Sequence, residues 1–401
     1  MSRSLRIELL EDPGRLPQAW DARVRGASHL LQRSTLSALA TAALPGTRMF
    51  CGLAWLGEDL VAAGVFHLVP FEPRRTGRTV AESHWVTGAF LRLTGLSGGP
   101  PHLLLCGHWL HTNAPGFTCD AARIDPGRGL QAMMGKVRRH ARRSVALEVI
   151  KGPDLPDGGR SLESLGHHRV DAAQPTMSLA IQPSWKSWDD YLQQMHKKYR
   201  QRARAARKRG SQLEREVLTA QQIGQHAADI DALLDSVLEH AEVVLIPPRA
   251  ATLSALKRVL GARFEVALYR FEGRAVGFAA CLMREDALEG LLVGLDPVAN
   301  RDLKTYQNIL YDFVERAIAA ELPVVELGRT ALEIKSAVGA QPSSFPLWVR
   351  HPNALMHWLL GFAAARVRPT TWSPRHVFRN GEGVQTKGTD DLVESEDSWT
   401  P

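Results

Sequence analysis

Two periods alternate along this chain, one helical and one strand-like, and they divide it into two similar halves. Leu16 to Val24 and Ser34 to Ala43 space their apolar residues as helices do. An apolar stretch from Met49 to Trp55, a turn at Leu56-Gly57-Glu58-Asp59 and a second stretch from Leu60 to Val69 predict a β-hairpin. Leu103 to Cys106 predicts a buried strand, and Gly129 to Val145 a basic helix with Leu130, Met133, Met134 and Val137 on one face. Ala146 to Ile150 completes an α/β pattern, and Lys151 to Gly166, with four Gly and two Pro, predicts a linker.

In the second half, Ser187 and Asp190 have capping-box form, and Trp188, Tyr191, Leu192, Met195 and Tyr199 repeat with helical spacing. One helix over 188–209, ended by Gly210, would be about 33 Å long. Further helices are expected over 228–241 and 250–260, then three strands over 264–270, 275–283 and 288–293. Tyr306, Ile309, Leu310, Phe313, Val314 and Ala317 mark the clearest helix. A strand over 324–327, a helix over 330–338 and a strand over 347–350 follow, giving the order β-β-β-α-β-α-β. The hairpins at 49–69 and 264–283 share one layout, which two copies of one domain would explain. The apolar run Ala354 to Ala365 is too short to span a bilayer and is expected to be a core helix, with an interfacial helix as the alternative.

The 401 residues, 44% hydrophobic and 23% charged, exclude a disulfide-stapled miniature scaffold, wholesale disorder and a multi-span membrane protein. The formal charge of +7 hides an asymmetry: the last 21 residues carry −5, leaving +12 on the rest. That excess suits an anionic partner such as RNA, a CoA-type ligand or a lipid surface, although many basic proteins bind no polyanion. Four cysteines without C-x-x-C spacing fit a reducing, cytoplasmic compartment, and the N-terminal residues have no signal-peptide pattern. Hydrolase elbow, zinc-protease and P-loop motifs are absent, and His108 and His111 lack further spaced ligands, so they read as loop or pocket-lining residues.

Three stretches resemble the double GNAT-fold acyltransferases, a group that includes the Fem-type aminoacyl-tRNA-dependent peptidyltransferases and acetyltransferase-like proteins related to cellulose or peptidoglycan biosynthesis. They are Ser187 to Leu192 with the basic run Lys197 to Arg204, then Lys304 to Tyr311, then Glu326-Leu327-Gly328-Arg329-Thr330 with Lys335 and Gly339. The resemblance implies an α/β (α+β) fold of two tandem GNAT-like domains, each a mixed, mostly antiparallel sheet flanked by helices. The expected division is 1–180, 181–370 and an acidic, disordered tail over 371–401.

The resemblance further implies attack of an amine on an ester or thioester carbonyl, with no tightly bound cofactor. The donor would be a co-substrate, aminoacyl-tRNA or acyl-CoA. The acceptor would bear an amine, as a peptide or cell-wall precursor does. Peripheral membrane contact is an expected partner, and so is the carrier itself. Lys335 takes the catalytic position, holding donor or developing oxyanion, with a solvated helix lysine as the alternative. Arg329 would bind phosphate or carboxylate, or make a surface ion pair. Tyr306 would reach the reacting centre or pack in the core. Lys197, Lys198, Arg200, Arg204, Asn308 and Gly328 make up the expected donor-binding set. Eight Lys or Arg lie in 197–209, and no acid lies between Asp190 and Glu214, which suits an RNA acceptor stem, an anionic membrane or a solvated face. The loop Leu295 to Leu303 has no glycine to cradle a pyrophosphate, tilting the donor toward aminoacyl-tRNA, whereas Asp125-Pro126-Gly127-Arg128-Gly129 offers an anion site or an ordinary turn. A non-catalytic RNA- or membrane-surface-binding protein is the reading from another class.

Overall fold

The computed structural model describes residues 4–42, 47–70, 102–110, 115–141, 145–151, 159–171, 175–239, 246–365 and 372–379. The expected disorder beyond Asn380 lies outside these residues, as does His111.

Each lobe is built on one sheet. The first contains β1 (Leu5–Leu10), β2 (Arg48–Leu56), β3 (Asp59–Pro70), β4 (His102–Cys106), β5 (Phe117–Cys119), β6 (Val145–Lys151), β7 (His168–Asp171) and β15 (Pro346–Arg350). Their order is β1-β2-β3-β4-β6-β15-β7, with β5 also on β3. The second contains β8 (Thr176–Ala180), β9 (Glu214–Val217), β10 (Phe264–Phe271), β11 (Arg274–Met283), β12 (Leu288–Leu295), β13 (Val324–Gly328) and β14 (Gln341–Ser343). Its order is β14-β8-β13-β12-β11-β10-β9. All pairs are antiparallel except β4 with β6 and β12 with β13.

The two hairpins recur because their turns are built alike. Leu56 faces Asp59 across a two-residue loop in which Gly57 has φ +68°. Phe271 faces Arg274 across Glu272 and Gly273, at φ +50° and +75°. In both lobes a helix then carries the chain to the parallel strand, Pro126–Ala141 in the first and Thr305–Ala319 in the second.

Three features differ from the sequence pattern. The sheets exchange strands across the boundary drawn at 180/181: β8 belongs to the second sheet and β15 to the first. β15 is held there by the buried Glu148 of β6, which pairs with Arg138 and with Arg350 Nε at 3.1 Å. The helix expected over 188–209 is two helices, Trp188–Gln194 and Lys197–Arg209, because residues of the expected tail dock at the break. His196 N–H donates to the Val377 carbonyl at 2.8 Å and Met195 bridges Phe378, so the segment through Arg379 belongs to the second lobe. Finally, helix Ala354–Ala364 contains no buried residue, against the core expectation.

The lobes share apolar packing. Leu30, Leu39 and Leu110 join Leu253, Leu256 and Phe264 in one buried cluster. Burial of that many large side chains at about 25 cal/mol per Å² resists separation of the lobes.

Candidate active site

The parallel strands β12 and β13 pair only at Leu288 with Val325 and Glu289 with Glu326. Beyond that point β12 runs on to Leu295 without this partner, so the sheet opens into a groove. A bulge between the Cys281–Gly290 and Ala280–Leu292 pairs leaves Leu291 outside the ladder, which frees backbone groups at the groove wall. Residues 290–293 are accordingly half-buried. In the first lobe β4 and β6 stay paired from His102 to Cys106, so that sheet does not open.

At the groove's end the chain turns through Gly328, Thr330 and Ala331, at φ +66°, +66° and +47°. A β-branched threonine in the left-handed region is strained, and surrounding structure must hold it there. This turn aims the Arg329 carbonyl at the next helix, Leu332–Ala337, where it accepts a hydrogen bond from Lys335 Nζ. Lys335 is only 3% exposed, and burial lowers its pKa to about 7. The solvated-lysine alternative therefore fails. A lysine so placed changes between ammonium and amine near neutral pH, as proton-handling chemistry requires.

The Arg329 guanidinium lies 5.4 Å from the Phe345 ring centroid. Its charge also bears on a residue that sequence reasoning missed, Lys151 at the end of β6. Burial first, and Arg329 second, lower the Lys151 pKa to about 8, against an opposing pull from buried Glu289. Lys151 Nζ donates to the His108 carbonyl at 3.0 Å. His67 sits close enough for Lys151 to add to the burial that lowers its pKa to about 3, so it is neutral at physiological pH. Lys151 of the first lobe thus lies within electrostatic reach of Arg329 of the second. Lys151 opened the expected linker, and nothing in the linear pattern marked it as half-buried beside His108.

The remaining expected residues divide by role. Tyr306 packs in the apolar core of the second lobe, where burial raises its hydroxyl pKa, which is the core alternative. Lys197, Lys198 and Arg204 are exposed on their helix, Arg200 is half-buried, and Gly328 makes the turn. Asn308 is buried, and its amide is occupied: Nδ2 donates to the carbonyls of Ala206 at 3.0 Å, Leu303 at 3.2 Å and Lys304 at 3.0 Å. It clamps the basic helix to helix Thr305–Ala319 rather than presenting an amide to a donor. Asn308→Ala should lower unfolding stability by about 2–3 kcal/mol, since those carbonyls lose a donor, measurable by urea denaturation. Arg207 is likewise internal, bonded to Asp312 at 2.6 Å and to Glu315, with Trp188 4.9 Å below it.

At the N-termini of helices Pro297–Leu303, Thr305–Ala319 and Pro126–Ala141, one N–H each is already taken by an oxygen of the chain itself. Asp296 accepts from Ala299 N–H at 2.9 Å, with Pro297 contributing no N–H, and Asn300 accepts from Tyr306 N–H at 2.8 Å. In the first lobe residues 126–129 form the first turn of helix Pro126–Ala141 rather than an ordinary turn, and Asp125 accepts from Arg128 N–H at 2.7 Å, which occupies one donor of an anion site there. Among the described residues no cluster of His, Cys, Asp or Glu suits a metal ion, and no helix is long and apolar enough to cross a membrane.

Residues 197–336, which contain the groove, match the family model described as an acetyltransferase (GNAT) domain. The fold is similar to that of FemX, with TM-score 0.51 and 11% identity over 88% of this chain and all of that one. It is also similar to a tandem GNAT protein from the clavulanic acid biosynthesis pathway, with TM-score 0.52 and 12% identity over 87% of this chain and 99% of that one. No curated protein sequence matches. The architecture is a tandem GNAT fold. With a GNAT acetyltransferase domain in its second lobe, the chain is of the acyltransferase class, as the resemblance implied.

Proposed function

We propose that the chain transfers an aminoacyl group from charged tRNA to an amine acceptor at the groove between β12 and β13. The acceptor nitrogen attacks the ester carbonyl carbon, and the carbonyl electron pair moves to oxygen. Collapse of that tetrahedral species breaks the bond to the ribose oxygen, which leaves with the proton shed by the attacking amine. Lys335, as ammonium, balances the transient oxyanion, the point at which fixed positive charge lowers the barrier most.

The observation that carries the choice of carrier is that Asp296, Asn300 and Asp125 each already accept from an N–H at a helix N-terminus. A pyrophosphate would compete with oxygens already bonded to those N–H groups, two of them carboxylate. The exposed cations of helix Lys197–Arg209 instead suit a polyanionic backbone. The structure of the clavulanic acid pathway protein is described as one without AcCoA, and that mention of AcCoA keeps an acyl-CoA donor as the second reading.

Radiolabelled aminoacyl-tRNAs and acetyl-CoA, each offered with a panel of amino acids, peptides and amino sugars, test the choice. The proposal predicts amide-bound label from charged tRNA. Amine-stimulated thiol release from acetyl-CoA, with charged tRNA inert, would replace it with the second reading.

A further inference from the structure

We propose that helix Ala354–Ala364 is a peripheral anchor that lies in the headgroup region of an anionic bilayer. Its sequence, ALMHWLLGFAA, is apolar except for His357. A helix that is apolar all round belongs in a core or in lipid. This one is in no core: Leu355, Trp358 and Phe362 are 63%, 67% and 54% exposed. They stand at i, i+3 and i+7, hence on one face, and the Trp358 and Phe362 rings stack at 6.4 Å.

The other side of the helix is seated on the first lobe. His357 stacks on His168 of β7 at 4.4 Å, and a Cβ at Gly361 would lie 2.6 Å from the His168 ring, so that glycine permits the close approach. The seat fixes which face turns outward. At about 1.5 Å per residue the helix is roughly 16 Å long, half a bilayer core, which suits lying in the interface and excludes spanning.

Charge selects the occupant. No Asp or Glu lies between Glu333 and Glu382, a stretch that holds five arginines; Arg350 and Arg375 pair with Glu148 and Glu333, while Arg366 and Arg368 follow this helix directly in sequence. Acid-free, arginine-bearing sequence flanking Trp, Phe and Leu matches anionic headgroups over acyl chains. A second copy docked through a two-fold axis would instead set this basic stretch against itself. The proposal stands apart from the transfer reaction and needs no knowledge of the carrier.

Sedimentation of the full chain with vesicles tests it, comparing phosphatidylcholine alone with about 30 mol % phosphatidylglycerol. Binding is expected on the anionic vesicles, weakening with added salt and falling roughly tenfold or more in Trp358→Ala/Phe362→Ala. Leu355→Gln/Phe362→Gln should lose binding alike, so the conclusion does not hang on one variant's folding. Failure of the parent chain to sediment, or undiminished binding by both variants, overturns the proposal. So does a parent dimer that these variants convert to monomer without any vesicle binding, which would assign the face to a second copy.

Discussion

The Lys335→Met protein is expected to melt a few degrees higher than the parent chain and to transfer its acyl group about 10²-fold more slowly. The two effects have one origin. Burial lowers the Lys335 pKa from 10.5 to about 7, so the folded state holds the charged form at a cost. Below pH 7 the lysine is protonated folded and unfolded, and the whole penalty, on the order of 3–5 kcal/mol, weighs on the fold. Between about 7 and 10.5 the unfolded chain binds the extra proton, so stability rises with pH across that window. Methionine removes the penalty, offset by about 1–3 kcal/mol because the Arg329 carbonyl loses its donor. The net gain is a degree-scale rise in Tm at neutral pH that vanishes at high pH. Rates should show the complementary trend: a role for the ammonium predicts a descending limb in kcat as pH passes about 7, measured with a fully deprotonated acceptor amine. A folded Lys335→Met protein with parental rates would remove this residue from the mechanism.

The second large effect concerns the basic helix. Replacing Lys197, Lys198, Arg202 and Arg204 by Gln should weaken tRNA binding roughly 10²-fold near physiological salt. The slope of log K against log salt should shrink by about 3–4, read by filter binding across a salt series. Stability should stay within about 0.5 kcal/mol of parental, because the four side chains are exposed and mutually repulsive. Arg207→Gln is the contrast: it removes the cation paired with Glu315 and one partner of Asp312, which keeps Tyr269 and Arg215, and should cost about 2 kcal/mol of stability with little change in salt slope. Charge on one helix thus divides into an exposed face, the proposed tRNA contact, and a structural face, a division that residue type alone conceals.

Much of this was legible in the chain because it is local. The Ala250–Leu260 helix, both hairpins and helix Thr305–Ala319 follow from periodicity and turn residues within a dozen positions. What was not legible depends on distant partners. Met195 has helical spacing, yet Val377 and Phe378 pull the backbone there into a bridge. Strand β15 has ordinary strand chemistry, and its place in the first sheet comes from remote partners: the β6 and β7 ladders, the core around Trp348 and Glu148. Leu355, Trp358 and Phe362 look like core residues until the fold supplies no core beside them. The position of Lys335 came from resemblance, whereas its burial and its bond to the Arg329 carbonyl needed the strained turn at 328–331. Lys151 carried no signal at all, since its half-buried place beside the His108 carbonyl depends on residues distant in sequence.

Melting the full chain with a minihelix RNA bearing a non-hydrolysable amide-linked amino acid, and separately with acetyl-CoA, tests the central claim most directly. Ligand linkage predicts that the charged minihelix at about 100 times its Kd stabilises the chain by about 2.7 kcal/mol, while acetyl-CoA leaves Tm unchanged. A rise in Tm with acetyl-CoA and none with the minihelix would contradict the account.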